Sequence, residues 1–535
     1  MSDLLNQASL VMVPSGYKED TVYSVVPSDG SGDLSFTRAS NGTRINSAGL
    51  VEVTPWNLLQ YSEDFANTSI WTQDAAGTGT ISVTANYGVA PNGTTTADRV
   101  QMTKGSIYTQ IYQTMTVISG AQYTLSVYLK SLSGTPTITT LYNTAVAGTK
   151  TLTTEWVRYD FTFIAASSTI YPMIALYGSD SASMDVLAWG YQLNIGSTAK
   201  PYFPTTDRLN VPRLTYQNGG GGCPSLLLEK QSTNSIFPSN GDNGMAFNGT
   251  FTANATTSPE GVSNAFSFLV TSNSNGGLSM VTITTSAQSY TFSAYLKGSV
   301  NGQKVLLLGD LNGSIQEFTL TTDWVRYTKT FTGSVGAQSI YLLNGSYLSP
   351  AQNNLYYGYG LQLEASSYAT SLIPTTSASA TRVADACSKT GISSLIGQTE
   401  GTLFVDFVWE GLGTANVDNP IFSIGEQSYG TSNIAIANYN SALYGRLTNG
   451  TSVDAGIAFG AMTIGTRYKC AIGYASNDFV FYVNGANYGN DTSVSIPALS
   501  DAYFQNDYPN SKEVNQAILF KTRLTNAELA SLTTL

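Results

Sequence analysis

Three blocks of sequence occur twice in the same order, and no other feature restricts the fold as tightly. The first set reads YTLSVYLK at 123–130, LTTEWVRYDFTF at 152–163 and GYQLNIGSTAKPYFPTT at 190–206. The second reads YTFSAYLK at 290–297, LTTDWVRYTKTF at 320–331 and GLQLEASSYATSLIPTT at 360–376. Tyr123 and Tyr290, Trp156 and Trp324, and Pro204 and Pro374 lie 167, 168 and 170 residues apart. An offset that hardly drifts means that a whole domain has been duplicated, with small insertions between blocks. A period this long makes beads on a string rather than a solenoid.

Within each copy the pattern is that of strands. Tyr123, Leu125, Val127 and Leu129 alternate with Thr124, Ser126 and Tyr128, the two-residue period of a half-buried strand. A second strand opens at Trp156 and runs through Phe161 and Phe163; a third places Tyr191 and Leu193 on one face and ends at Pro204. Tyr (33), Gly (50) and hydroxyl residues are abundant while charged residues are only 11%, which suits pleated strands joined by tight turns and not a helical protein. The expectation is all-β: tandem antiparallel sandwiches (jelly rolls), the first over 56–206 and the second over 234–386. At roughly 150 residues per domain, a chain of 535 residues has room for one more, at 387–535. The paired Trp156 and Trp324 are expected in the cores, with Arg158 and Arg326 laying their stems along aromatic faces.

The flanks read differently. Residues 1–55 carry short apolar runs cut by Pro14 and Pro27, too broken for a core of their own, and are read as an attachment or oligomerisation segment. Asn41-Gly42 signals a turn there. Residues 207–233 form a linker whose glycines (Gly219 to Gly222) make a flexible joint, followed by Leu226 to Leu228 as a short docking strand. Arg382 and Asp385 are close enough to form an exposed pair. Residues 388–535 open with the apolar strand GTLFVDFVWEG and continue through turns at Ala475–Asp478 and Asn484-Gly485. They close on one short helix, with Thr525 and Glu528 as a capping box and Leu529 and Leu532 facing inward.

Composition also removes functions. Histidine is absent, which excludes Ser-His-Asp and Cys-His catalysis and every His-ligated metal site. Cys223, Cys387 and Cys470 are three and far apart, giving neither a disulfide framework nor a zinc knuckle. A net charge of −11 argues against nucleic acid or an anionic membrane as partner. No signal peptide and no apolar stretch of membrane-spanning length is evident, so no membrane insertion is expected. No cofactor is indicated: a jelly roll often holds a structural calcium, but no DxDxDG loop is present.

Several segments resemble those of tailed-bacteriophage virion proteins: FTRAS (36–40), NLLQYSEDF (57–65), PSLLLEKQSTN (224–234) and the GLQLE…YAT…IPT…TR…AD pattern (360–385). In that family, jelly rolls like carbohydrate-binding modules occur in tandem. The SNDFVFYVNG strand pair and final RLTNAEL helix are similar to concanavalin-A-like or laminin-G-like sandwiches. The resemblance implies a head or tail fibre or decoration on the virion exterior, made in the bacterial cytoplasm. It further implies anchorage to other virion proteins through residues 1–55, assembly as a homo-oligomer (a trimer), and adhesion to host-surface or mucosal glycans. The first copy departs from the pattern, with Asn194 where the second has Glu364 and Lys200-Pro201 where it has Thr370-Ser371.

A sugar site needs an aromatic ring to stack on a pyranose and amides or carboxylates to orient it. The loops NYNSALY and DAYFQNDYPNS have that make-up, which nominates Tyr439, Tyr444, Tyr503, Asn506, Asp507 and Tyr508 as ligand-binding residues. No catalytic residue is nominated. Glu63 and Asp64, or Asp406 and Glu410, could be imagined as a glycosidase pair, but no spacing singles them out among 35 acidic residues. The chain is therefore expected not to be an enzyme. The competing expectation is a purely architectural spacer or connector without a ligand; an enzyme digesting surface polysaccharide is a third, disfavoured by the absence of a β-helix repeat and of a marked acidic pair.

Overall fold

The computed structural model describes residues 2–142, 145–217, 220–242, 244–270, 275–309, 314–333, 335–349, 355–413, 417–427, 431–505 and 508–535. It is all-β, built of antiparallel sandwiches, with a short terminal helix at Asn526–Thr533. Among the described residues no helix is long and apolar enough to cross a membrane.

The two copies have one topology. In the first, the front sheet runs in the order Val157–Ile164, Gln122–Ser131, Ser183–Ile195, Ala97–Thr103, Thr80–Gly88. In the second, the order is Val325–Thr332, Ser289–Gly298, Tyr356–Glu364, Ser263–Leu269, Thr250–Thr257. Each central pair carries the same bulge, between Ser126 and Tyr128 and between Ser293 and Tyr295. The glycines opposite it, Gly190 and Gly360, have φ of 66° and 65°, a conformation costly for any side chain. Leu125, Leu129 and Leu193, like Phe292, Leu296 and Leu363, are fully buried between front and back sheets.

Trp156 and Trp324 lie outside those cores. Both are half-buried on the outer face of the front sheet, where each indole N–H donates to an equivalent carbonyl, Val89 (3.2 Å) and Thr257 (3.0 Å). The conserved arginines do lie over aromatic rings, Arg158 on Tyr128 at 5.5 Å and Arg326 on Tyr295 at 5.6 Å. The indoles that fill cores are Trp71, in the first copy, and Trp409, in the third sandwich.

The third sandwich is assembled from three separated stretches of chain. In one sheet, strand Ser511–Phe520 lies against Glu400–Gly411 on one side. On its other side it is covered by Ser225–Leu228 along its first half and Ala8–Met12 along its second. In the facing sheet, Leu34–Thr37 pairs with Ala386–Lys389, which pairs with Ala502–Tyr503. Residues 1–55 are thus not a separate segment: Leu10, Met12, Leu34 and Phe36 lie in the same core as Phe407 and Phe481. An apolar run too short for its own core is stabilised by completing another. Nor is 207–233 a free joint, since Leu226 and Leu228 are buried in that core and Arg213 and Glu229 are buried beside it. Gly219 lies outside the described residues.

Asn41-Gly42 does not make the turn it signals; the hairpin is Gly42–Ile45 against Val51–Thr54, closed where Asn46 Oδ1 accepts from Ala48 (2.9 Å) and Leu50 (3.1 Å). The capping box at Thr525 and Glu528 is formed, and Leu529 and Leu532 are buried. Asn484-Gly485 has the two positive φ values of a tight hairpin turn, 49° and 85°.

Candidate functional site

Duplication supplies an internal comparison, because the outer face of the front sheet has met two fates. In the second copy it is covered. Hairpin Gly42–Thr54 lies on it, with Val51 packed among Ala265, Tyr359 and Leu372, and Ile45 and Trp324 at the margin. Val51 N–H donates to the Pro259 carbonyl at 2.9 Å, and Thr43 Oγ1 to that of Leu372 at 2.6 Å. A Cβ on Gly261 would meet Leu50 at 3.0 Å.

In the first copy the same face has no such cover. A Cβ on Gly93, equivalent to Gly261, would meet nothing within 4 Å, and Pro91 is exposed where Pro259 is buried. The face is aromatic. Tyr128, Trp189 and Tyr202 pack together with ring centroids 4.7–6.3 Å apart, and Trp156 stands half-buried beside them. Tyr202 occupies the position of Leu372; its hydroxyl donates to Glu63 Oε1 at 3.1 Å and shares a hydrogen bond with Ser62 at 2.8 Å. Burial, with the Tyr202 hydroxyl against it, leaves Glu63 raised above the usual carboxylate range.

Toward the sheet edge the face turns polar. Arg99 and Asp185, on neighbouring strands, form a bidentate pair at 2.8 and 2.6 Å, with about a quarter of each side chain exposed. The Arg99 guanidinium lies 4.9 Å from the ring of Tyr87, which is 50% exposed, and Gln101 reaches Asp185 at 3.4 Å. The second copy has Ala255, Ser267 and Leu355 at the positions of Tyr87, Arg99 and Asp185. An open sheet face with rings, a fixed guanidinium–carboxylate pair and an amide can bind a hydroxylated ring: the rings supply apolar area and the polar groups set orientation. Periodicity alone hid this face, because alternation does not say which side of a strand meets a neighbouring domain. The departure of Tyr87, Arg99 and Asp185 from their counterparts was the available signal.

The residues nominated from the loops fare unequally. Tyr439 and Tyr444 come together on the outer face of the nine-stranded sheet: Tyr439 lies opposite Ala442 and Tyr444 opposite Ala437, which places the two rings on one side. Tyr439 is 39% exposed and Tyr444 half-buried. Tyr503 shares that face through Ser423, Ala435 and Arg446, but it is only 2% exposed and its hydroxyl donates to the Glu426 carbonyl at 2.8 Å. A ring so covered offers no surface to a sugar, and Tyr503 is withdrawn from the set. Tyr508 is half-buried in its loop; Asn506 and Asp507 lie outside the described residues.

Asp406 and Glu410 are held by different neighbours. Asp406 is engaged bidentately by Arg467, at 2.8 and 2.5 Å, and accepts from Asn515. Glu410, four residues further along the same strand, faces a different neighbourhood and is pushed up to about 8 by burial and by Glu513.

No protein family matches the sequence, and no curated protein matches it. Among solved structures, a tandem CBM22 domain of Paenibacillus barcinonensis Xyn10C is 12% identical, covering 58% of this chain and 97% of its own, at a TM-score of 0.22. Domain 4 of the arabinanase AbnA of Geobacillus stearothermophilus, solved with arabinotriose, is 14% identical over 30% of this chain and 78% of its own, at 0.23. Trypanosoma rangeli sialidase is 10% identical and covers 93% of this chain and 97% of its own, at 0.23. The expectation that the chain is not an enzyme is withdrawn; likeness at a TM-score of 0.23 neither assigns an activity nor excludes one.

Proposed function

We propose that this chain is an adhesin on the exterior of a bacteriophage particle, a head or tail fibre or decoration that binds host-surface or mucosal glycans. The observation that carries the glycan reading is the contrast between two equivalent faces. The second copy's face is consumed by packing, whereas the first copy's is uncovered and carries Tyr87, Arg99, Asp185 and Trp156. Packing alone does not require a half-exposed tyrosine under a guanidinium, and an architectural spacer would have no use for the substitutions that separate the copies. The virion reading rests on the resemblance of FTRAS, PSLLLEKQSTN and the 360–385 pattern to tailed-phage proteins. Tyr439 and Tyr444 form a second candidate contact on the third sandwich.

An open sheet face binds a sugar weakly, so a trimer would gain its usefulness from avidity. The test uses the whole chain, because residues 388–535 lack the strands that 1–55 and 207–233 contribute to their sandwich. Full-length protein displayed multivalently on a glycan array is expected to give signals that Tyr87→Ala and Arg99→Ala abolish. No signal at high valency would favour the architectural reading, and a signal indifferent to both substitutions would move the site elsewhere.

A further inference from the structure

The two jelly rolls and hairpin Gly42–Thr54 enclose a cleft of about 550 Å³, within the range of small-molecule sites and at a domain boundary, where such sites concentrate. Trp56 and Tyr359 lie in its walls. Its charges are unevenly satisfied. Glu52 is held by Arg44 at 2.8 Å and by Lys200 at 2.7 Å, so that carboxylate is neutralised. Glu260 accepts from Asn264 Nδ2 at 2.6 Å, and the Tyr359 hydroxyl bonds to it as well. Arg208 is half-buried in the cleft with Nε donating to the Asn57 carbonyl at 2.9 Å; its two terminal nitrogens make no hydrogen bond among the described residues. Asn264 is 2% exposed, and its Oδ1 has no hydrogen-bond partner among the described residues. The lining carries two cations, Lys200 and Arg208, and two carboxylates, Glu52 and Glu260; Arg44 reaches Glu52 from outside it, so Glu52 is doubly paired while Arg208 has no salt bridge among the described residues.

We propose that this cleft binds a saccharide bearing a carboxylate, a sialic or a uronic acid, whose carboxylate pairs with the open fork of Arg208. A planar guanidinium with both terminal nitrogens free matches a carboxylate bidentately. The unpaired Asn264 Oδ1 is an acceptor for a sugar hydroxyl, and the aromatic walls supply apolar area. The site is separate from the open face of the first copy and does not depend on it.

The test is calorimetric titration of the full-length protein with sialyllactose, with trigalacturonate and with neutral lactose. One of the two acids is expected to bind and lactose is not; which acid binds names the sugar. Arg208→Gln should weaken that binding roughly 10- to 100-fold, as for loss of a charge-assisted pair. Asn240→Asp, which adds a negative charge to the cleft lining without touching Arg208, should weaken it too at an unchanged unfolding temperature. It decides the matter if Arg208→Gln does not fold. The Tyr87→Ala and Arg99→Ala proteins should bind the acid as wild type does. Failure of both acids at millimolar concentration would overturn the proposal, as would lactose binding equally well. So would wild-type affinity in both Arg208→Gln and Asn240→Asp, or a loss caused by Tyr87→Ala instead.

Discussion

Arg38 Nη1 lies 2.9 Å from Asp385 Oδ1 across 347 residues of chain, and neither side chain is exposed. The other oxygen of Asp385 accepts from Arg213 and from the Glu229 amide at 2.7 Å; Glu229 in turn holds Arg213 at 2.5 Å and Arg382 at 3.1 Å. The N-terminal strands and the entry and exit of the second jelly roll are joined at this one buried cluster. Asp385→Asn would leave Arg38 buried without its counter-ion and Arg213 with Glu229 alone. It is expected to cost about 3–5 kcal/mol of stability in urea unfolding, the scale for breaking a buried pair. Asp185→Asn, which breaks the exposed pair with Arg99, should cost about 0–1 kcal/mol and serves as the control. Equal effects would sink the assignment.

The same cluster predicts acid lability. Burial works against the charge of Glu229, but Arg382 and Arg213 outweigh it and hold the carboxyl at about 2, against 4.5 when unfolded. A carboxylate with a depressed folded pKa contributes stability above its unfolded value and loses it as pH falls through the folded one. Stability should therefore drop between about pH 4.5 and 2. Glu229→Gln should start less stable near neutrality and show a shallower drop, measurable as unfolding temperature against pH. An unchanged slope would count against the cluster.

Glu410 has the opposite sign. It shares with Glu513 a cavity of about 140 Å³ between the second copy and the third sandwich, and burial, then Glu513 and Glu229, push it up to about 8. The folded state holds a proton that the unfolded state releases near 4.5, so this residue's contribution falls as pH rises between those values. Glu410→Gln keeps the volume and removes the titration. It should match wild type below about pH 4 and exceed it above pH 8 by ~1–3 kcal/mol. A variant no more stable at high pH would refute this.

The alternation and the duplication made both jelly rolls legible, because strand period and a constant offset are local properties. The third sandwich was not legible as a unit: Ala8–Met12 pairs with Ser511–Phe520, and nothing in either strand names its partner. Arg382 and Asp385, three residues apart, read as an exposed pair; each instead bonds across the junction to residues far away in sequence. The segments 36–40, 224–234 and 360–385 supply Arg38, Glu229, Arg382 and Asp385, so they are largely the sequence of this junction. One signal was readable and unused. Glu52 and Glu229 each stand five residues before an asparagine, Asn57 and Asn234, so a carboxylate and a clamp recur together ahead of each copy.

Those two asparagines give the last expectation. Asn57 donates to the carbonyls of Tyr191 and Phe203 at 3.1 Å each and accepts from the amides of Leu59 (3.1 Å) and Leu193 (3.2 Å). Asn234 repeats the set on Leu361 and Ile373 (3.0 Å each), Ile236 (3.0 Å) and Leu363 (3.1 Å). Both are fully buried, and each ties the chain entering a jelly roll to its last strand and to the segment that leaves it. Alanine at either position would strand two carbonyls and two amides away from water. Because the clamps belong to separate cores and share no partner, their costs should be similar and should add within about 0.5 kcal/mol. Each single variant is expected to lose about 2–4 kcal/mol, the penalty for more than one unsatisfied buried group. Urea unfolding of both single variants and the double variant measures this. Strong non-additivity would show that the two copies do not unfold independently.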